Sequence, residues 1–273
     1  MTVEGIPAVH ENALQRFDLS GRVAWVVGGA GLLGTAVCHA LAEHGAHVVV
    51  SDIREPEAAK LAEAIRDKGL SAEALVVDAS SEESIVAGAK TVVEKHGRMD
   101  CVVNMTFFYT RTPMDQMTTV EWEKGMRVSL TGAFLVSREA IKHMSPRNTG
   151  SIVHFSSMYG LVAPDPRMYP EPLPPNPIDY GVAKAGVLQM TRYHGVMLAR
   201  QGVRVNAIVP GPFPYPEGQQ DDTEFMARLR GRCPTGRFGQ PSEITGAVVF
   251  LCSDAASYVT GTQIVIDGGW TAW

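Results

Sequence analysis

Residues 23–34 read Val-Ala-Trp-Val-Val-Gly-Gly-Ala-Gly-Leu-Leu-Gly, so that five apolar residues lead directly into a cluster of glycines. A short run rich in valine and bounded by glycine predicts a buried strand, and the segment from Gly34 to Glu43 predicts a helix. Glycine at this turn lets the backbone approach a pyrophosphate, which the helix N-terminus favours. The predicted dinucleotide contacts here are Gly28, Gly31, Leu32, Leu33 and Gly34. A tight turn without a ligand is the alternative.

Downstream of this unit, short apolar runs alternate with longer helical patterns. The further strands are predicted at His47–Ser51, Ala74–Val77, Cys101–Val103, Ile152–Phe155, Arg204–Ile208 and Gln263–Ile266. The further helices are predicted at Glu57–Lys68, Glu82–His96, Thr119–Met144, Tyr180–Arg200 and Ser242–Cys252. Such alternation is typical of a parallel sheet covered by helices on both faces. We therefore predict one doubly wound α/β domain of about seven strands over residues 17–273, preceded by an extension at 1–16.

Composition excludes several classes of protein. The net charge is −5 and is spread along the chain, so neither a nucleic-acid partner nor an anionic membrane surface is expected. No apolar stretch approaches the roughly 20 residues that span a membrane, and the N-terminus does not read as a signal peptide. The four cysteines lack CxxC spacing and the histidines lack HExxH spacing. We expect reduced thiols in the cytoplasm and no metal site.

Two acidic residues at predicted strand ends bear on the dinucleotide. Asp52 closes the second strand, where a carboxylate hydrogen-bonds the ribose hydroxyls and repels a 2′-phosphate. This favours NAD over NADP, although Arg54 two residues later softens the preference. Asp78 ends the third strand, where it could meet the adenine or cap the strand.

Tyr180 and Lys184 lie four residues apart in a predicted helix, so they share one face. A nearby ammonium favours the phenolate and should lower the tyrosine pKa from its usual value of about 10. The pair could therefore exchange the proton of an alcohol. Eleven of the 17 prolines fall in 164–177 and 210–216, both after predicted strands. Because ligands bind at the carboxyl ends of such strands, these stiff segments predict the walls of a substrate pocket.

The ordered series of motifs resembles the short-chain dehydrogenase/reductase family from about Phe17 to the C-terminus. It comprises the glycine turn, Asp52, Asn104, Ser157, Tyr180 with Lys184, Pro210-Gly211 and Asp267-Gly268-Gly269. The resemblance implies an NAD(P)-dependent, Rossmann-type oxidoreductase, commonly a tetramer or dimer. It implies that Tyr180 is the acid/base, that Lys184 tunes it and holds the nicotinamide ribose, and that Ser157 positions the substrate oxygen. The implied further coenzyme contacts are Ile53, Asp78, Ala79, Asn104, Pro210, Gly211 and Phe213.

The chain departs from the family pattern at three places that bear on the site. Ser129 stands where the family has an asparagine that helps to hold a water in a proton relay, and Phe107 replaces a glycine. About ten extra residues separate Ser157 from Tyr180. Tyr169 in this insertion is a rival for the catalytic tyrosine, but prolines surround it and Leu173, not lysine, lies four residues later.

The predicted pocket combines aromatic and polar side chains, with His154, Tyr109 and Tyr215 at its margins. The predicted substrate contacts are Thr106, Phe108, Arg111, Met158, Tyr159, Tyr169 and Phe213. Arg111 and Arg167 suggest an anionic group on the substrate, or else are solvated loop residues. We expect NAD-dependent interconversion of a secondary alcohol, polyol or sugar-like, and its ketone. The alternatives are a 3-oxoacyl-type or other carbonyl reductase and a non-catalytic dinucleotide sensor.

Overall fold

A computed structural model describes residues 12–110, 112–215 and 223–273. Its strands are β1 (Val23–Val27), β2 (His47–Asp52), β3 (Ala72–Val76), β4 (Cys101–Asn104), β5 (Gly150–Phe155), β6 (Val203–Pro210) and β7 (Gln263–Ile266). Its helices are α1 (Leu32–Glu43), α2 (Glu55–Arg66), α3 (Glu82–His96), α4 (Thr119–Met126), α5 (Gly132–Met144), α6 (Ile178–Leu198), α7 (Glu224–Arg232) and α8 (Thr245–Cys252).

The sheet is buried on both faces because successive strand residues pack into different apolar clusters. Ala24 and Val26 of β1 contribute to one cluster, whereas Val23, Trp25 and Val27 contribute to the other. All neighbouring strands pair in parallel, in the order β3-β2-β1-β4-β5-β6-β7. The predicted doubly wound α/β sheet of seven strands in one Rossmann-type domain is confirmed.

Two features of the helical layers were not predicted from the sequence. The predicted helix Thr119–Met144 is interrupted by a π-helical turn at Arg127–Thr131, which separates α4 from α5. Helix α7 was not predicted, since its sequence carries few apolar residues. At the N-terminus, residues Ala13–Phe17 form a 3-10 turn, and Arg16 donates a hydrogen bond to the Asp254 carbonyl at 2.7 Å.

A separate apolar cluster lies beyond the carboxyl ends of the strands, and we call it the cover cluster. Its buried members come from the loop after β5, the insertion (residues 163–178), α7, the segment after α7 and the C-terminal tail: Met158, Met168, Met226, Leu229, Cys233, Phe238 and Trp270. All four cysteines are unpaired and buried. Within the described part of the chain, no helix is both long and apolar enough to cross a membrane.

Candidate active site

The glycine turn lies between β1 and α1 and shapes the floor of a crevice. Gly28 has a φ of +79°, and a Cβ there would lie 3.1 Å from the backbone of Met105. A Cβ at Gly34 would lie 2.4 Å from the Gly29 carbonyl oxygen, so α1 packs directly on the turn. Gly31, by contrast, faces open space and is the N-cap of α1, which has no side-chain cap. The first N–H groups of α1 are therefore available to an anion such as a pyrophosphate.

Asp52 ends β2 beside the glycine turn and is 6% exposed. Its carboxylate accepts the Ala30 N–H at 3.1 Å and both the backbone N–H and the Nε of Arg54 at 3.1 Å. The guanidinium therefore partly neutralises the carboxylate that the sequence identified as the ribose contact. The pKa of Arg54 is raised, chiefly by its hydrogen bond to Asp52.

A cleft of about 590 Å³ opens between the glycine turn and the ends of β2, β3 and β4. Among the predicted residues, its lining includes Gly28, Gly31, Asp52, Ile53, Asp78, Ala79, Thr106 and Phe108. One carboxylate oxygen of Asp78 accepts the Ser80 N–H and hydroxyl at 2.8 and 2.7 Å, which is the strand-end cap that the sequence allowed. Phe108 was predicted as a substrate contact, but it lies here, with Lys124 Nζ 4.8 Å from its ring centroid.

A second cleft of about 240 Å³ continues from the first toward Tyr180 and shares Gly28, Gly31 and Phe107 with it. Among the predicted residues, it is also lined by Leu32, Leu33, Gly34, Ser157, Tyr180, Lys184, Pro210, Gly211 and Phe213. The structure thus gathers residues from seven separate segments of the chain around one continuous crevice. Asn104 lies beneath it, where its amide oxygen accepts the Thr106 hydroxyl at 2.8 Å and fixes the turn after β4.

Ser157, Tyr180 and Lys184 converge at the inner end of the second cleft. Ser157 follows β5 in residues 156–160, which we call the serine loop, and it lines the second cleft together with Tyr180. Lys184 lies one turn further along α6, and its Nζ is 5.8 Å from the Tyr180 ring centroid. The ammonium donates to the carbonyl oxygens of Phe155 at 2.8 Å and Thr106 at 3.2 Å. The tight packing of α6 on the serine loop requires Gly160, where a Cβ would lie 2.9 Å from the Lys184 backbone.

Burial sets the protonation of this cluster. It raises the pKa of Tyr180, and the hydrogen bond from Ser157 opposes that rise. Burial also lowers the pKa of Lys184 to about 7. The Tyr180 pKa therefore shifts in the direction opposite to the sequence-based expectation that the ammonium lowers it. Desolvation outweighs the charge, because the lysine itself is driven toward its neutral form.

The structure gives Ser129 a different task from the predicted relay. Its hydroxyl lies in the π-helical turn, donates to the Phe108 carbonyl and accepts the Phe108 N–H, both at 2.8 Å. A serine hydroxyl has a single proton, and the Phe108 carbonyl accepts it. Ser129 therefore cannot donate to a relay water in this conformation, and it fixes the loop that carries Phe107.

Two aromatic rings pack against the ring of Tyr180. Phe107 and Tyr109 stack with centroids 6.1 Å apart, and both meet the Tyr180 ring edge-on at 6.3 and 5.8 Å. Beside them, Asp179 is fully buried and accepts the Thr110 N–H at 3.0 Å, which anchors this aromatic loop to the start of α6. Sequence reasoning missed Asp179; its position next to the tyrosine of the motif was the available signal.

Two other predicted substrate contacts, Tyr169 and Met158, pack against neighbouring segments of the chain. Tyr169 donates to or accepts from the Tyr159 hydroxyl at 2.8 Å, so the insertion folds back on the serine loop. Met158 is buried in the cover cluster and does not line the crevice. Arg111 lies outside the described residues.

Arg167 has the position of a solvated loop residue, which was one of its two expected roles, whereas His154 differs from expectation. Arg167 is exposed and paired with Asp165 at 2.6 Å, so it offers little charge to a substrate. His154 is fully buried under the sheet, 3.0 Å from the Ser137 hydroxyl, and is not a pocket residue. Burial lowers its pKa to about 3.

Known proteins resemble the chain over almost its whole length. A family model described as enoyl-(acyl carrier protein) reductase matches residues 29–271. The cis-4-hydroxycyclohexanecarboxylate dehydrogenase of Sinomonas cyclohexanicum is 36% identical over 252 residues, which are 92% of this chain and 97% of that protein. The cyclopentanol dehydrogenase of Comamonas testosteroni is 33% identical over 93% of this chain and 98% of its own. Among solved structures, a gluconate 5-dehydrogenase from Burkholderia cenocepacia J2315 in complex with NADP and tartrate superposes with a TM-score of 0.87. It is 33% identical and covers 96% of this chain and 100% of its own.

Proposed function

The chain belongs to the short-chain dehydrogenase/reductase family and is an oxidoreductase that acts on CH–OH groups; from that premise, we propose that it oxidises a secondary alcohol on a carbocyclic ring with NAD. The observation that carries the substrate class is the pair of aromatic rings, Phe107 and Tyr109, that meet the Tyr180 ring edge-on. Flat apolar surfaces bind an alicyclic ring by burying its carbon atoms. Two relatives that act on cyclic alcohols support this class.

Each side chain at the inner end of the crevice has a different role in the proposed reaction. Ser157 holds the alcohol oxygen next to Tyr180, and Tyr180 in its phenolate form accepts the alcohol proton and becomes a phenol. Lys184 donates to two backbone carbonyls and has one further N–H for a hydroxyl on the coenzyme ribose. A bound nicotinamide dinucleotide supplies the acceptor for the hydride that leaves the carbinol carbon.

The residues of the crevice fit such a dinucleotide. Gly31 leaves open space at the uncapped N-terminus of α1, which suits a pyrophosphate. Asp52 lies at the end of β2, where its carboxylate favours ribose hydroxyls over a 2′-phosphate. Arg54 is held against that carboxylate, which supports NAD as the preferred coenzyme while leaving NADP a weaker substrate.

A polyol acid is the second candidate substrate, because a gluconate 5-dehydrogenase is among the similar structures. The sequence-based preference for a polyol or sugar-like alcohol belongs to this candidate. A polyol would place several hydroxyl groups near the rings of Phe107 and Tyr109, where a hydroxyl buried without a hydrogen bond is unfavourable. We therefore place the carbocyclic alcohol first.

We also propose that the protein is a homo-oligomer, a tetramer or a dimer. Helix α6 exposes apolar side chains at helical spacing, with Tyr193 60%, Val196 73% and Met197 57% exposed. Burying such a patch against another copy removes apolar surface from water.

Coenzyme reduction with a panel of alcohols tests the proposal. The wild-type protein should form NADH from cyclopentanol, cyclohexanol or 4-hydroxycyclohexanecarboxylate faster than from gluconate. Tyr180→Phe should lower kcat at least about 1,000-fold, near the upper part of the range for a lost acid/base, while the Kd for NADH stays within twofold. Tyr258→Phe, which removes a phenol hydroxyl from a fully exposed side chain that precedes β7, is the matched control and should retain full activity. Substantial activity of the Tyr180→Phe protein would contradict the assignment of Tyr180 as the acid/base. Faster turnover of gluconate than of the cyclic alcohols would indicate a polyol substrate.

A further inference from the structure

Three side chains with metal-binding atoms meet at the rim of the sheet opposite the crevice. His47 begins β2, Glu73 lies in β3 and His96 ends α3. One donor atom of each lies within 4.8 Å of the other two. The histidine rings are 4.4 Å apart between centroids, and His96 Nε2 is 2.8 Å from a Glu73 carboxylate oxygen.

The ring of His47 is held as a metal-binding histidine is held. Its Nδ1 contacts the Ser71 hydroxyl at 2.6 Å, whereas its Nε2 is buried and has no hydrogen-bond partner among the described residues. When Nδ1 carries the proton and donates it to the Ser71 hydroxyl, the lone pair of Nε2 is left for a ligand. A buried nitrogen without a partner is unfavourable unless something binds it. This orphaned atom is the second observation, beside the clustering, that points to a ligand.

We propose that His47, Glu73 and His96 form a binding site for Zn²⁺ or a similar divalent transition-metal ion. Two imidazoles and one carboxylate are ligands that zinc prefers, with a water at the fourth position. Zinc bonds of about 2.0–2.1 Å place tetrahedral donor atoms roughly 3.4 Å apart. Atoms already within 4.8 Å of one another reach that spacing by small side-chain rotations.

The ammonium of Lys95 would compete with a metal ion for the Glu73 carboxylate. Lys95 donates a short hydrogen bond to the second carboxylate oxygen of Glu73. This ammonium neutralises the carboxylate and opposes a cation at the same group. Removing Lys95 should therefore strengthen metal binding, whereas removing a ligand should weaken it.

The position of the proposed metal site predicts that a bound ion stabilises the fold. β3 is the edge strand of the sheet, and α3 follows it on one face. An ion held by His47, Glu73 and His96 would cross-link that edge strand to β2 and to the end of α3. Because it binds the folded chain and not the unfolded one, it should raise the melting temperature. The crevice is at the other rim, so catalysis does not require the ion.

Metal titration of the full-length protein without a histidine tag tests the proposal. After chelator treatment and desalting, ZnCl₂ is added and binding is followed by calorimetry and by the melting temperature, and CoCl₂ is added to record visible absorption. We expect one ion per chain, a higher melting temperature and the intense visible bands of a tetrahedral cobalt centre.

The variants separate this site from other histidines. His47→Ala and Glu73→Gln should weaken zinc binding at least tenfold, Lys95→Ala should strengthen it severalfold, and His39→Ala on α1 should leave it unchanged. Glu73→Gln keeps the shape of the side chain, so its result stands even if a histidine variant unfolds. No zinc binding by the wild-type protein, or binding equal in wild type and Glu73→Gln, would overturn the proposal.

Discussion

Burial and charge act in opposite directions on the residues of the crevice, and burial prevails at Tyr180 and Lys184. The amino group of Lys184 is 2% exposed and makes its hydrogen bonds to neutral carbonyls, so no carboxylate stabilises its charge. Asp52 differs, because the Arg54 guanidinium contacts it directly. The two charged positions of the crevice therefore make separate predictions, one for coenzyme preference and one for pH.

Coenzyme preference should depend oppositely on Asp52 and Arg54. Asp52→Asn removes the charge that repels a 2′-phosphate and should raise the NADP to NAD ratio of kcat/KM about tenfold or more. Two charges about 4 Å apart at an effective dielectric of 20 interact by about 4 kcal/mol, which bounds the effect. Arg54→Ala removes the cation and should lower the same ratio. Steady-state kinetics with both coenzymes measure it, and a ratio unchanged in both variants would mean that neither side chain faces the ribose.

The stability of the folded chain should rise with pH through the titration of Lys184. In the unfolded chain this amine keeps its proton up to about pH 10.5, whereas the folded chain releases it near pH 7. Stability rises with pH wherever the unfolded state binds more protons. Between those values, wild type should gain stability relative to Lys184→Met by up to about 1.4 kcal/mol per pH unit. Urea unfolding of both proteins at pH 6.5, 7.5 and 8.5 tests this, and parallel pH curves would contradict it.

At the scale of elements, the insertion between β5 and α6 contacts both the serine loop and α7. Its Tyr169 reaches the serine loop through Tyr159, and Arg228 of α7 donates to the Arg167 carbonyl at 2.6 Å. Met168 joins the cover cluster. The insertion is thus tied to both neighbouring segments and positions the serine loop from outside.

Removal of the Tyr169 hydroxyl should affect the alcohol and not the coenzyme. Tyr169→Phe loses one buried hydrogen bond of about 1 kcal/mol, which corresponds to about a fivefold higher KM for the alcohol, with an unchanged KM for NAD. Tyr159→Phe should act similarly, and the double variant should add little to either change. Additive effects in this cycle would show that the two hydroxyls do not act together.

Prediction from sequence succeeded for elements with strong local patterns. The bounds of α3 agree with the prediction because Ser81 caps it and Gly97 ends it with a φ of +70°. Prediction failed where a residue depends on a partner far away in the chain. The role of Ser129 follows from its hydrogen bonds to the backbone of Phe108, and no apolar periodicity marks the π-helical turn. Residues 47, 73 and 96 meet only after three elements pack, so no spacing along the chain indicates their contact.

At the scale of the whole molecule, the parallel sheet separates two rims. The carboxyl ends of the strands carry the crevice and the cover cluster, and the opposite rim carries the histidines of the proposed metal site. Helix α6 connects them, because its first turns hold Tyr180 and Lys184 while its last turns present the exposed apolar patch. Assembly through this patch would then fix the helix on which the reacting side chains lie.

The assembly prediction is tested by a charge in the apolar patch. Val196→Glu places a carboxylate at a position that is 73% exposed in the single chain, so the folded chain should tolerate it. Burying that carboxylate between copies is unfavourable. Light scattering after gel filtration should give an oligomer for wild type and a smaller species for the variant. Gln189→Glu, on the same helix, is the control for added charge, and a wild-type monomer would refute the proposal.

All four cysteines are buried, so the rates at which their thiols react report on internal motion of the protein. Cys38, Cys101 and Cys252 are fully buried in the core beside the sheet, whereas Cys233 is 3% exposed in the cover cluster. Burial raises the pKa of the thiols of Cys38 and Cys233, so alkylating reagents act on them slowly until the surrounding structure opens. The alkylation rate at Cys233 therefore measures how often the cover cluster opens locally. The rates at the other three cysteines measure how often the core opens.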